Sequence, residues 1–194
     1  MNDNIFKELD RRILTTATNR FNASSRLNKH NKFSLWTVMY FSLILILVSI
    51  FNMVNVQPNV NPSFVNASSI FLSVVILTIS TALSMSNFGA RAEKFLDCGR
   101  ELHALSFNFK KIINDTSLQT NENYEKYQKD YEHILSRYEN HKLIDHLYTK
   151  LLWKDSYNPK FYNYIATYLR YFFEYFIYFL LFITVSTWMY YTYI

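Results

Sequence analysis

The chain has 194 residues, 50% of them apolar and 18% charged, with a formal net charge of +5. Those averages suit a soluble domain, but all 20 basic and 15 acidic side chains fall in Asp3–Lys32 and Arg91–Glu174, which excludes a globular surface with interspersed charge. Two Gly and three Pro argue for helices over a β-rich fold, and the single Cys98 excludes an intramolecular disulfide framework.

Residues 1–32 read as an amphipathic N-terminal helix through Phe6, Leu9, Ile13, Ala17 and Phe21. The first apolar run begins only after this polar arm, so nothing here resembles a signal peptide. Phe33–Ala90 then contains no Asp, Glu, Lys, Arg or His. A helix needs about 20 apolar residues to cross a hydrocarbon core of ~30 Å. Residues 33–54 and 68–88 each meet that length, forming a transmembrane hairpin over 33–88. Between them "NVQPNVNPSFVNASS" holds Pro58, Pro62 and four asparagines, so 55–67 is predicted as the tip. Lys7, Arg11, Arg12, Arg20, Arg26, Lys29 and Lys32 precede the first span; Arg91, Lys94 and Arg100 follow the second; the tip carries no charge. The positive-inside rule puts both flanks in the cytoplasm and the tip outside.

Residues 89–152 read as a cytoplasmic antiparallel helical hairpin. Phe95, Cys98, Leu102, Leu105, Phe109 and Ile112 recur at steps of three and four, "NDTSLQTNEN" supplies the turn, and Tyr124, Tyr127, Tyr131, Ile134, Tyr138 and His141 repeat the spacing. Two seams of about three heptads signal packing without specifying an oligomer number. Residues 153–170 are predicted as a linker. A third run, 171–194, is charge-free after Glu174 and ends in Trp188, Tyr190, Tyr191 and Tyr193, an aromatic cluster suited to a membrane boundary. Glu174 follows Arg170 by one turn, close enough to pair or snorkel. The run reads as a third transmembrane helix, with an interfacial helix as the competing reading. The fold expected is an all-α membrane protein.

No catalytic, cofactor or metal signature is present: the chain has no nucleophile elbow, phosphate-binding loop or zinc-protease motif, and no enzyme is expected. In "ENHKLIDH", His141 and Asp145 at i, i+4 with His146 suggest a metal or a proton-sensitive pair, but two ligands complete no site, and a structural tie between helices is the plainer reading. Arg91, Lys94, Arg100, Lys110 and Lys111 alternate with Glu93, Asp97 and Glu101; that pattern is a solvated helix, and no direct nucleic-acid binding is expected.

The second span carries a polar stripe. At 100° per residue Asn66, Ser69, Ser73, Ser80, Ser84 and Asn87 lie within about 60° of one another, interrupted at Ile76 and Leu77. Small residues four apart let helices approach closely in lipid. The same stripe suits the lining of a water-filled path in a homo-oligomer, with Ile76 and Leu77 as a hydrophobic constriction. Spacing alone leaves both readings open, and the two coexist because a pore needs packed helices.

"TATNRFNASSRLNKHNKFSLW", "GARAEKFLDCGRELHALSFN" and "YEKYQKDYEHILSRYENHKLIDH", with Arg20, Arg26, Arg91, Arg100-Glu101-Leu102 and Asn140-His141, resemble the SLATT family over about Ile5–His146. The resemblance implies a two-span, pore-forming effector of a bacterial conflict system in the inner membrane. Its partners would be nucleotide second-messenger synthases, SLOG-type sensors or, in the subgroup most resembled, a reverse transcriptase. The third run departs from the two-span pattern.

The expected function is antiphage defence by membrane permeabilisation, with the lipid bilayer and further copies of the chain as partners. A non-pore anchor that recruits a cytosolic defence enzyme through the seam of Phe95, Leu102, Leu105, Phe109, Tyr127, Tyr131, Ile134 and Tyr138 is the alternative. A housekeeping transporter is disfavoured, because neither hairpin span has a charged or Gly/Pro-broken midplane. The topology is testable. Cysteines at Asn59 or Asn61 are expected to react with an impermeant thiol reagent in intact cells while native Cys98 does not; a silent tip with a labelled interior position would reverse the orientation.

Overall fold

The computed structural model describes residues 3–193; Met1, Asn2 and Ile194, at the ends of the expected first and last segments, lie outside the described residues. The described residues form helices α1 (Asp3–Met53), α2 (Pro62–Ser86), α3 (Phe88–Asn114), α4 (Asn121–Ser136), α5 (Leu143–Leu152), α6 (Lys154–Tyr157) and α7 (Phe161–Tyr193), with a single 3-10 turn at Thr116–Leu118 and no strand among them. Helices α1, α2 and α7 are long and apolar enough to cross a membrane.

Local chemistry explains the boundaries. Asn55 takes a left-handed conformation (φ 57°) after α1, and Val56 N–H donates to the Phe51 carbonyl at 3.0 Å, closing the helix end. Asn61 caps α2 by accepting from the Ser63 N–H at 2.9 Å, and Pro62 occupies the first turn, where its missing N–H costs nothing. Helix α2 therefore starts inside the expected tip, and residues 62–67 belong to the helix. At its other end Asn87 (φ 46°, ψ 39°) is left-handed between α2 and α3.

The chain divides into two compact units, a head (residues 3–28 and 89–170) and a span unit (29–88 and 171–193). In the head, Phe6, Leu9, Ile13 and Ala17 of α1, Cys98, Leu102 and Phe109 of α3, and Ile134 of α4 form one buried cluster. Phe21, Leu105, Ile112, Tyr124, Tyr127, Tyr131 and Tyr138 pack against it, and Phe95 is buried as well. Phe6 stacks on Phe109 with ring centroids 5.8 Å apart. The two three-four seams are thus joined by the N-terminal arm into one core, where the sequence reading treated the arm as a separate element.

Two differences from the sequence reading concern the second half of the head. The Tyr124–His141 spacing predicted one helix, but α4 ends at Ser136 and α5 begins at Leu143. Asp145, three residues beyond the cap, accepts the Lys142 N–H at 2.9 Å and nucleates a new helix. His141 consequently sits in the turn and does not share a helix face with Asp145. In 153–170, α6 is closed by left-handed Asn158, Pro159 follows, and α7 begins at Phe161, so most of the expected linker is helical.

In the span unit Phe41, Ile44 and Val48 of α1, Val65 and Leu72 of α2, and Val185 of α7 form the core. Tyr40 Oη meets Ser186 Oγ at 2.7 Å, and the tip is tied to α7 where Asn59 N–H donates to the Thr192 carbonyl at 2.8 Å. Glu174 meets His30 Nε2 at 2.9 Å, and His30 Nδ1 lies 3.2 Å from Tyr178 Oη. Large apolar side chains such as Trp36, Leu43, Ile46, Ile70, Phe71, Leu77, Phe173 and Phe179 are exposed on all three helices. Soluble monomers rarely expose contiguous apolar patches beyond a few hundred Å².

Cys98 is fully buried, and burial raises its thiol above the ordinary value against the smaller, opposing effect of Arg20. Its silence toward a thiol reagent therefore reports packing, and a cysteine at the exposed Ser117 turn is the better marker of sidedness. At Gly99 helix α3 comes close against a side chain of α1: a Cβ there would come 2.6 Å from Phe21 Cε1. Gly99→Ala is expected to destabilise the head by about 1–3 kcal/mol through overpacking. A thermal melt in detergent checks this, with Phe21→Leu, which replaces the ring by a smaller aliphatic side chain, restoring the Gly99→Ala midpoint; an unchanged single variant would mean that the ring yields freely.

Candidate functional site

On α2 the face bearing Val65 and Leu72 is buried, with Val75, Ile76 and Ile79 packed beside it. The stripe lies next to this face rather than within it. Ser69 and Ser80 are half-buried, whereas Asn66, Ser73, Ser84 and Asn87 are exposed. Ser69 Oγ donates to the Val65 carbonyl at 2.8 Å and Ser73 Oγ to the Ser69 carbonyl at 2.9 Å, so both hydroxyls are satisfied by their own helix. The two residues that interrupt the stripe part company: Ile76 packs on the core, while Leu77 is 68% exposed. The chain's own packing therefore leaves the stripe open along a helix of spanning length.

The head holds a second polar arrangement, which spacing alone did not reveal. Arg26 of α1 donates to both carboxylate oxygens of Asp145, Nε to Oδ1 at 2.8 Å and Nη2 to Oδ2 at 3.1 Å, and both side chains are essentially buried, at 3% and 0% exposure. Asn22 Nδ2 donates to Thr149 Oγ1 at 2.9 Å and to the Asp145 carbonyl at 3.3 Å. Arg20, 1% exposed, donates to the Glu139 carbonyl and to Asn140 Oδ1, and lies 5.5 Å from the centre of the Phe95 ring. Asn19 Nδ2 lies 3.1 Å from His141 Nε2 and 3.4 Å from His146 Nδ1. Burial holds both imidazoles below their ordinary pKa, aided at His141 by the charge of Arg20 and at His146 by Lys150. At neutral pH both rings are therefore uncharged acceptors for the Asn19 amide.

This network explains "ENHKLIDH" as a tie between α5 and α1. Arg20, Arg26 and Asn140-His141 carried the sequence resemblance, but Asn19, Asn22 and Thr149 went unnoticed. The available signal was a polar run at Thr15, Asn19, Asn22 and Arg26, which follows three-four helical spacing beside the apolar face of α1. The outer edge of the head adds pairs between Arg91 and Glu139 (2.9 Å) and between Arg137 and Glu101. The Tyr138 hydroxyl donates to Glu101 at 2.8 Å, which raises its pKa. The exposure of Arg91 and Glu139 makes that pair worth little. No group of three or more His, Cys, Asp or Glu suited to a metal occurs among the described residues.

A family model described as "SMODS and SLOG-associating 2TM effector domain family 5" matches residues 2–192. The chain belongs to the SLATT family. No curated protein and no solved structure matches it. The SLATT match runs well past the segment that carried the resemblance and takes in all but the last residue of α7, so the third apolar helix is part of the family region although the family is named for two spans. SLATT is an effector domain family of conflict systems and not a known enzyme family; its description associates it with SMODS and SLOG partners. A membrane effector role follows from the family together with three helices of spanning character.

The Arg26–Asp145 pair has a defined cost of disruption. Removing one partner of a buried ion pair typically costs about 3–5 kcal/mol, because the other charge is left buried and unpaired. Asp145→Asn is expected to lower the thermal midpoint of the purified protein sharply, and Arg26→Met combined with Asp145→Leu to recover much of the loss. A double variant as unstable as the single one would place the stability in the Lys142 cap and not in the pair.

Proposed function

We propose that this SLATT protein is a pore-forming effector that permeabilises the bacterial inner membrane and arrests or kills an infected cell. The observation that carries the reading is the open polar stripe on α2, a helix of spanning length whose Val65 and Leu72 already pack on its own chain. In the proposed assembly the N-terminus and head are cytoplasmic, in keeping with the basic flanks, and several copies bring Ser69, Ser73, Ser80 and Ser84 around one aqueous path. Leu77 forms the apolar constriction, and Ile76 braces it from the core side. Hydroxyls that are bonded to their own helix lose little when the path is dry and can meet water when it opens, which suits a gated pore. The head holds the assembly silent until an operon partner, a reverse transcriptase or a nucleotide second-messenger synthase, releases it.

Ser80→Leu is expected to abolish depolarisation while insertion and crosslinked oligomers persist, because leucine is favoured in lipid but dries the path. Leu77→Ser is expected to leak without a trigger and to be toxic on expression. Membrane depolarisation and crosslinked oligomer size are measured together on both variants. Full defence activity from Ser80→Leu, with Leu77→Ser behaving as wild type, would remove the pore and leave the anchor that recruits a cytosolic enzyme.

A further inference from the structure

A cavity of about 340 Å³ opens on the head where α1 faces the α4–α5 turn and α6, lined in part by Arg11, Arg12, Asn19, His141, His146 and Tyr157. Its volume is at the lower end of the range for small-molecule sites. Its floor is polar and incompletely satisfied. Asn19, 3% exposed, has no partner for Oδ1, and the buried Nδ1 of His141 has none either. Because His141 Nε2 and His146 Nδ1 both face the Asn19 amide donor, the proton of His141 resides on Nδ1, which leaves a buried N–H donor without an acceptor.

The cavity is mainly basic, although Glu8 also lines it and the Asp145 carboxylate acts on His141. Arg20, which does not line the cavity but is held by the residues immediately preceding His141, meets the Glu139 carbonyl, the Asn140 side chain and the Cys98 thiol, and its Nε has no partner. A buried guanidinium without a carboxylate partner projects its charge through a low-dielectric interior with little screening. At the rim Arg12 is matched by Glu8 at 3.5 Å, both well exposed, and Arg11 adds a second exposed cation. The Tyr157 ring stands edge-on to His146, with centroids 6.3 Å apart, and offers an aromatic wall beside the basic edge.

We infer that this cavity binds a small phosphorylated ligand: Arg11, Arg12 and the His141 N–H would take the phosphate, and Tyr157 would contact the body it carries. Arginine forks match phosphate oxygens in a bidentate manner, and such charge-assisted bonds are the strong ones. The inference goes beyond pore formation and does not depend on it. A phosphorylated ligand seated between α1 and the α4–α5 turn would add bonds across a network that is already polar and buried, so its binding would bias that junction.

The test is titration calorimetry on the full chain in detergent with adenosine 5′-monophosphate, glycerol 3-phosphate, inorganic phosphate and uncharged adenosine. Saturable binding of a phosphate-bearing probe without binding of adenosine is expected. Tighter binding of the nucleotide points to a free nucleotide-like ligand; tighter binding of glycerol 3-phosphate points to a lipid headgroup. Arg11→Gln combined with Arg12→Gln is expected to weaken binding about tenfold or more. Both side chains are exposed, so the midpoint of the ligand-free protein should hold. Arg100→Gln with Lys110→Gln removes equal charge away from the cavity and is expected to bind as wild type. His141→Asn, read the same way, tests the floor without touching the rim. No saturable binding of any phosphate probe, or an equal loss in the Arg100/Lys110 variant, would overturn the assignment.

Discussion

A charged side chain at the centre of a hydrocarbon layer costs about 2.5–3.5 kcal/mol on insertion scales, and an unsatisfied backbone group costs several more. Almost everything about this chain follows from meeting both constraints at once. Phe33–Ala90 and residues 175–194 are free of charge, and outside the turn at 54–61 nearly all of their described residues form helices, the element that satisfies its own backbone. The one acid close to the third run, Glu174, meets His30 at 2.9 Å, with Phe88 and Tyr175 rings around the imidazole. Polar side chains deeper in the span unit, such as Thr37, Ser69 and Ser73, return their hydroxyls to the helix one turn back.

The head works under the opposite rule: water is available outside, so burial of charge there requires a specific partner. Arg26 and Asp145 meet in bidentate geometry with almost no exposure, and Asp145 also caps α5. Such a pair contributes less net stability than its geometry suggests, since desolvation offsets much of the attraction, but it severely penalises any register in which the partners are separated. Around it the apolar seams of α1, α3 and α4 supply the nonspecific driving force, and Gly99 allows the approach that brings Phe21 against α3. Hydrophobic burial makes the head compact; the polar network selects one arrangement of α5 on α1.

The SLATT match gives the third helix a different standing from the one its composition suggested. Charge-free length alone admitted either a span or an interfacial helix for residues 171–194. Helix α7 contributes Val185 to the core of the span unit, with Leu181, Trp188 and Met189 packed against it, and the family region includes it. A helix that buries part of its surface against two others has a smaller lipid-facing perimeter, which leaves the far sides of α1 and α2 to meet lipid or further copies.

The sequence by itself determined the helical class, the three runs able to span and the apolar faces that form the head core. These features depend on period and composition, which are local properties: Phe95, Leu102 and Phe109 repeat visibly, and the absence of charge over Phe33–Ala90 needs no partner to be noticed. Boundaries set by one side chain were less legible, as with Asn61 starting α2 ahead of expectation and Asp145 ending the notion of a single helix through His141. Only the tertiary structure decided that Arg26 finds Asp145, that Asn19 bridges two histidines, and that Ile76 turns inward while Leu77 stays exposed. A polar or branched residue carries no local mark of its distant partner; the pairing exists once packing has brought together residues about 120 positions apart, and nothing periodic records it.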